Sequence, residues 1–426
     1  MDTLALFDGL QDNLRVTNAD EIKSRRDEIT KSLNRAFRDS DSTAANRLMV
    51  GSWGRNTAID GVSDLDLIYI LPSSLRSEYQ RAGGTSKALA AAKTAIASHY
   101  STSRIRVDRL VVSLQFTNYL FEVQPVFENE DGEFEYPDTY SDTWKITKPR
   151  AEIRAMQEIN ERTGGNARTL CRLARAWKKK HNVPMGGLLI DTLVYRFLTS
   201  TDAYIDPTAL PDSMVRDFFR YLSELPKQEF FSALGSNQQV KVKKHFQGKA
   251  KHAYSLSVEA IEAQHSSNMA SKWKKVFGKY VPSDTDSENE RTYDTYSDTE
   301  EFIEDYYNVR LRYEMKLDCT VTQNGFRPAS LREMLLKRIW LRPNKKLEFK
   351  VISTTVPEPF DLKWKILNRG DEAAKRDEIR GQIVDGKGHR SHVENTRFRG
   401  DHYVECYAIK NGTVVAKAHI DVPIQE

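Results

Sequence analysis

The sequence predicts an α+β chain in three parts: a sheet braced by helices, a helical lobe, and a C-terminal β-sandwich. Three observations predict it. Val62–Leu71 is an apolar run of strand length set among helical patterns. From about residue 151 to Tyr280 apolar residues recur at helical spacing, and beyond Phe302 they switch to period two. A chain of 426 residues is long enough for two or three domains with sizeable cores.

Taken in order, Ile22, Ile29, Leu33 and Phe37 line one face of a helix over Asp20–Phe37, with Thr17 or Asn18 as its N-cap. That helix is expected to brace the sheet. Val62–Leu71 reads as a buried strand, and the alanine-rich Ser86–Tyr100 as a helix crossing behind it. Val111–Phe116 and Tyr119–Phe127, separated by Thr117-Asn118, read as a β-hairpin that Pro125 should end. An acidic loop and Trp144–Pro149 follow, and the remainder to Tyr280 is expected to be helical.

Ser283–Asp305 holds ten acidic residues and one basic one, the composition of a mobile linker. The hexapeptide Asp-Thr-Tyr-Ser-Asp-Thr occurs twice, at Asp138–Thr143 and Asp294–Thr299, with no longer repeat around it. Arg310–Val321, Lys346–Val351, His402–Tyr407 and Val414–Ile420 alternate as strands do, with one interrupting helix at Leu331–Ile339 and a turn at Asn411-Gly412. The expected organisation is therefore 1–150, 151–282, a linker at 283–301, and 302–426.

Composition excludes several classes. Hydrophobic residues make up 39% and charged residues 29%, and no run approaches the roughly 20 apolar residues of a membrane span. The N-terminus lacks the basic-then-apolar order of a secretory signal. Three widely spaced cysteines, Cys171, Cys319 and Cys406, exclude a disulfide framework and a cysteine zinc site. A cytoplasmic protein is expected. A net charge of +4 is too small for a nucleic-acid coat.

The chemistry is concentrated at Gly51-Ser52-Trp53-Gly54-Arg55-Asn56-Thr57 and Asp64-Leu65-Asp66. Residues i and i+2 of a strand share a face. Two carboxylates so placed repel each other and are costly to bury without a cation between them. Mg²⁺, which prefers carboxylate and phosphate oxygens, fits that need, with Mn²⁺ as a substitute. Gly51-Ser52 supplies a flexible turn and a hydroxyl suited to a polyphosphate. The bland alternative is a polar turn and a strand with two solvated aspartates. A third carboxylate is expected from the neighbouring strand, and Glu122 is the candidate, with Asp108 ranked lower.

These motifs resemble polymerase-β-like nucleotidyltransferases, and within them the cGAS- and DncV-like enzymes of the SMODS group. That family typically presents an aspartate three residues before the proline, where this chain has Glu122. The resemblance runs over about residues 20–282. It implies that Asp64, Asp66 and Glu122 are catalytic and hold the metal. It also places Gly51, Ser52, Arg55, Thr57, Arg172, Arg175 and Lys179 at the nucleotide. Arg168, Arg172, Arg175 and Lys179 recur on one helical face opposite Leu170, Leu173, Ala174 and Trp177, so a basic ridge looking out into a phosphate cleft is expected, the alternative being a solvated face.

Trp364–Ala373, Arg380-Gly381 and Phe398–His402 resemble the AGS-C domain, a nucleotide-sensor module. Asn368, Arg380, Arg397 and His402 are its candidate ligand donors, or else turn and strand-edge residues. The resemblance further implies NTP or dNTP substrates, a nucleotide signal in antiphage defence, and a separate effector, soluble or membrane-embedded, that reads it. Rival readings are a template-independent polymerase making a linear oligonucleotide, a protein or tRNA nucleotidylyltransferase, and a catalytically silent ligand sensor.

Overall fold

In the computed structural model the described residues are 2–101, 103–206, 209–282, 303, 306–322, 328–337, 339, 341–342, 345–367, 381–386, 390–395 and 400–424. The chain divides into two compact units, Met1–Glu288 and Asn289–Glu426.

In the first unit the N-terminal helix α1 (Thr3–Asn13) is capped by Asp2, whose carboxylate accepts from the Ala5 N–H. Helix α2 (Ala19–Arg38) follows Asn18, whose side chain makes no capping bond. Strand β1 (Arg47–Met49), the one-turn helix α3 (Gly51–Gly54) and strand β2 (Asp64–Ile70) come next. The short α4 (Arg76–Tyr79) and α5 (Gly84–Ala97) lead to strands β3 (Arg104–Val107), β4 (Val112–Gln115) and β5 (Leu120–Glu128). β6 (Phe134–Asp138) and β7 (Thr143–Thr147) form a hairpin where a loop is expected, and the first copy of the hexapeptide is its turn. The second copy lies outside the described residues.

The sheet runs β1-β2-β5-β4-β3, with β6 and β7 added beyond the end of β5. Alternation along β2 decides its two faces. Leu65, Leu67 and Tyr69 pack with Ile22, Ile29 and Leu33 of α2 and Ala88, Leu89, Ala92 and Ile96 of α5 in one core. Asp64, Asp66 and Ile68 therefore point to the other face.

Pro125 does not end β5. β4 pairs only as far as Val123, and β6 begins pairing at Phe127. The Leu120 N–H donates to Ser63 O on the β2 side, so alternation puts the missing proline N–H on the opposite side, in the gap between those two partners.

Six helices follow: α6 (Pro149–Arg162), α7 (Asn166–His181), α8 (Gly187–Thr199), α9 (Pro211–Glu224), α10 (Gln247–Glu262) and α11 (Met269–Phe277). A small hairpin of β8 (Phe230–Ser232) and β9 (Gln239–Lys241) interrupts the expected all-helical run. Their common core includes Trp177, Phe218, Phe219 and Trp273. α1 joins this core, with Phe7 edge-on to Trp273 at 4.9 Å, although it belongs by sequence to the first segment.

The second unit is built from two sheets. One has the order β10-β18-β17-β14-β15, from β10 (Asn308–Val309), β14 (Asp361–Leu367), β15 (Ile383–Asp385), β17 (Gly400–Lys410) and β18 (Thr413–Ile424). The other has the order β12-β11-β13-β16, from β11 (Met315–Thr322), β12 (Ala329–Ser330), β13 (Lys346–Thr354) and β16 (Ser391–Asn395). Leu317, Cys319 and Phe349 of the second sheet share one core with Trp364, Cys406 and Ala416 of the first, which makes the unit a β-sandwich. α12 (Leu331–Leu336) is the interrupting helix, shorter than expected and capped by Ser330, whose hydroxyl accepts from the Glu333 N–H. Asn411 and Gly412 take φ of 51° and 71°, the left-handed pair that a two-residue hairpin between β17 and β18 requires.

Candidate active site

β2 and β5 are parallel and in register, with Asp66 beside Glu122. Neighbouring strands lie about 4.8 Å apart, so these two carboxylates and Asp64, two residues along β2, share one patch of the sheet. Burial first, then Asp64, pushes the Asp66 carboxyl above its ordinary value against the pull of Arg55. Glu122 is raised by burial first, then by Asp66, Asp64 and Asp108. Asp108 is committed to its own turn, where its carboxylate accepts from the Arg109 N–H. Among the described residues no trio of His, Cys, Asp or Glu side chains closes on a single point. The carboxylates repel one another, and oxygen donors with excess negative charge are what a hard divalent cation fits.

The loop before β2 is fastened against this patch. The Val50 N–H donates to Asp66 O at 2.9 Å. Gly51 follows with φ of +61°, and a Cβ added there would lie 1.9 Å from Asp66 Oδ2. Only glycine permits that approach. The loop then folds back, with Thr57 N–H and Ala58 N–H donating to Ser52 O at 2.8 and 3.2 Å. A cavity of about 450 Å³ lies here, lined on the sheet side by Gly51, Ser52, Asp64, Asp66 and Gln124 and on the helical side by Arg175, Lys178 and Lys179. Gln124 lines it in place of Glu122, which sits two residues along the same strand face.

The basic ridge is not where the helical spacing puts it. Arg168, Arg172 and Arg175 are 5%, 8% and 7% exposed, so their donors turn inward. Arg175 forks onto Asp191 of α8 at 2.6 and 2.9 Å. Arg172 donates to Asn56 Oδ1 at 2.9 Å. Arg55 and Thr57, expected at the nucleotide, are buried too, although Arg55 also lines the cavity: Arg55 donates to Asp191 and Glu152 at 2.8 and 3.0 Å, and Thr57 Oγ1 to Asp191 at 3.0 Å. Lys179 donates to the carbonyls of Asp60 and Gly61, at 2.9 Å each, on the segment entering β2. The reason is that α7 is covered from Leu170 to Trp177 on both faces, so these arginines find partners inside, while Arg175, Lys178 and Lys179 toward its C-terminal end still line the cavity.

Burial alone would push the Asp191 carboxyl up, but Arg175 and Arg55 more than reverse this and hold it well below the usual carboxylate range. Burial outweighs Arg55 at Glu152, which sits above its ordinary value and accepts from Ser236. Asp191 and Lys178 are the residues the sequence reading missed. A lone acid in the apolar run Leu188–Leu193 is the signal for the first. Burial, with Arg175 and Lys243 nearby, lowers the Lys178 amine while Asp64 pulls it the other way, which places a cation within electrostatic reach of the carboxylates.

Two family models match the chain: the Second Messenger Oligonucleotide or Dinucleotide Synthetase (SMODS) domain over residues 1–160, and the Adenylyl/Guanylyl and SMODS C-terminal sensor (AGS-C) domain over residues 297–425. The chain is a SMODS-group nucleotidyltransferase with a C-terminal AGS-C domain. This chain is similar to the cyclic AMP-AMP-AMP synthase of an Acinetobacter species, 22% identical over 251 residues, covering 54% of this chain and 71% of that one. Among solved structures it is similar in fold to Escherichia coli MS115-1 CdnC with ATP, at 14% identity and a TM-score of 0.50, covering 66% of this chain and 99% of that one. The same protein in its complex with HORMA-deltaN matches with a TM-score of 0.51, at the same identity and coverage.

The SMODS match contains Gly51, Ser52, Asp64, Asp66 and Glu122, whereas Arg175, Lys178 and Asp191 lie beyond it. In the AGS-C domain, Asn368, Arg380 and Arg397 fall outside the described residues. His402 lies in β17 opposite Val422 and is 6% exposed. No helix among the described residues is long and apolar enough to cross a membrane.

Proposed function

We propose that the synthetase joins nucleoside triphosphates into a cyclic or short oligonucleotide signal, with Mg²⁺, or Mn²⁺ in its place, held by Asp64, Asp66 and Glu122. The observation that carries this is the β2–β5 register, which sets Glu122 beside Asp66 on the face that also bears Asp64, under a glycine turn closed onto Asp66. When bound, the metal supplies neutralisation of phosphate and carboxylate charge. The chain does the rest by placement. Gly51 lets the backbone lie against the carboxylates, Ser52 offers its hydroxyl to the phosphates, and Lys178 offers a cation from the helical side. A 3′- or 2′-hydroxyl aligned by these walls would attack the α-phosphate in line: the new O–P bond forms as the α–β bridging bond breaks, pyrophosphate departs on the opposite side and the hydroxyl proton passes to solvent, without a histidine or cysteine nucleophile.

The test is incubation of the full chain with each labelled NTP and dNTP, singly and mixed, with Mg²⁺ or Mn²⁺. A phosphatase-resistant product is expected of a closed ring, and a phosphatase-sensitive ladder of a linear oligomer. Label appearing only on protein or tRNA, or no product from any mixture, would sink the proposal.

The resemblance to the family supports a cytoplasmic role in antiphage defence, with the product read by a separate effector, soluble or membrane-embedded. Cells carrying the Asp64→Asn/Asp66→Asn variant are expected to lose phage protection. The C-terminal sandwich is proposed as the sensor of a nucleotide or oligonucleotide. Calorimetric titration of the intact chain and its His402→Ala variant with substrates, products and short oligonucleotides tests that. Identical heats from the two would remove His402 from any ligand site.

A further inference from the structure

We propose that Asp191 is a positioning residue for the synthetase: from inside the helical lobe it fixes the Gly51-Ser52 turn by holding Arg55 and Thr57. This rests on the reading of that turn as the phosphate loop. Asp191 is fully buried and is not among the residues lining the cavity, so it acts through others. Its Oδ1 accepts from Arg175, and its Oδ2 accepts from Arg175, Arg55 and the Thr57 hydroxyl, between 2.6 and 3.0 Å. Both loop donors follow Ser52 within five residues, and the Thr57 N–H itself donates to Ser52 O.

Displacing the carboxylate therefore moves Thr57, and Thr57 moves the backbone that carries Ser52. Arg55 extends the clamp to Glu152 on α6, which takes the Ser236 hydroxyl in turn. Arg172 fixes Asn56 between the two anchors. Every residue from Arg55 to Thr57 is thus bonded to the helical lobe, while the loop's hydrogen bond to its own sheet is made by Val50, with Gly51 lying close against Asp66. A buried ion cluster is poor value as a stabiliser compared with apolar packing, and its best use is to enforce one geometry.

The experiment is a double-mutant cycle on the full chain, read as kcat/KM on the NTPs that give product, with Asp64→Asn as the control. Thr57→Val keeps the shape and the ion cluster but removes the hydroxyl, and is expected to lower kcat/KM about tenfold. In the Ser52→Ala background the same change is expected to cost less than about twofold, because the loop then has no hydroxyl left to place. Asp191→Asn is expected to follow the same pattern with a larger loss, and if it fails to fold the Thr57 arm decides alone. A merely structural role predicts effects that multiply in both backgrounds. Multiplying effects overturn the proposal, as does a wild-type Thr57→Val beside an inactive Asp64→Asn. An active Asp64→Asn removes the catalytic reading and this proposal with it.

Discussion

Asp64→Asn combined with Asp66→Asn is expected to abolish product and, in the absence of divalent metal at pH 7, to raise the melting temperature. The first effect follows because both side chains leave the cleft without the charge that would hold a cation beside the phosphates. The second follows from linkage. Burial and Asp64 raise the Asp66 carboxyl above its unfolded value, so the folded state binds that proton more tightly than the unfolded state does. Asp66 thus favours folding below its unfolded pKa, and this contribution is lost as pH rises through the folded value. At pH 7 the ionised group opposes folding, and asparagine removes the penalty. The gain should shrink as pH falls toward the ordinary aspartate value of about 3.9, because Asp66 then takes up its proton in the folded and the unfolded state alike. Thermal melts in chelator at pH 7 and pH 4 read the difference. Wild-type product from the double variant would end the assignment of the site.

Gly51→Ala carries the other large expected effect. Alanine at φ of +61° is strained by about 1–2 kcal/mol, and its Cβ would lie 1.9 Å from Asp66 Oδ2. Either the loop lifts or the carboxylate turns away, and each outcome separates Ser52 from Asp66. A displacement of about 1 Å in a site that works by placement costs roughly a hundredfold in rate. The global fold should survive, because Val50 and Ser52 stay on the surface of the cleft and neither core uses Gly51. Far-UV circular dichroism should match wild type while turnover falls. Wild-type turnover would show that the approach of Gly51 to Asp66 has no catalytic part.

What could be read from the sequence was what local geometry decides. Asp64 and Asp66 are two residues apart on an apolar strand, so their shared face follows from the pleat alone. Glu122 could be named because it is the acid within the second strand of the hairpin and the resemblance points three residues before the proline; its place beside Asp66 comes from the parallel β2–β5 register, which joins separate segments. The strand through Pro125 was not legible, since it depends on where β4 stops and β6 starts, which are separate segments of chain. The arginines of α7 were read with the correct period and the wrong environment. A helical wheel reports which residues share a side, not what covers that side. Here Asp191, Asn56 and the loop cover it, and the charges become clamps instead of an open ridge. α1 shows the same limit: its apolar stripe is plain, but the choice of Trp273 and Phe277 as its partners is a tertiary decision. In the sandwich, alternation was enough for β11, β13, β17 and β18, and Asn411-Gly412 for the last hairpin, because each is set by neighbours in sequence; β11 starts at Met315 and not at Arg310, and β14, β15 and β16 are strands that alternation did not mark.

The Asp64, Asp66 and Glu122 patch is proposed to bind divalent metal next to a nucleotide. Counting Mn²⁺ bound per chain by electron paramagnetic resonance, with a non-hydrolysable NTP analogue present, tests it most directly. Wild type is expected to bind Mn²⁺ beyond what the nucleotide binds free in solution, and the Asp64→Asn/Asp66→Asn variant to lose that excess. Equal Mn²⁺ binding by the two proteins would show that this patch does not hold the metal.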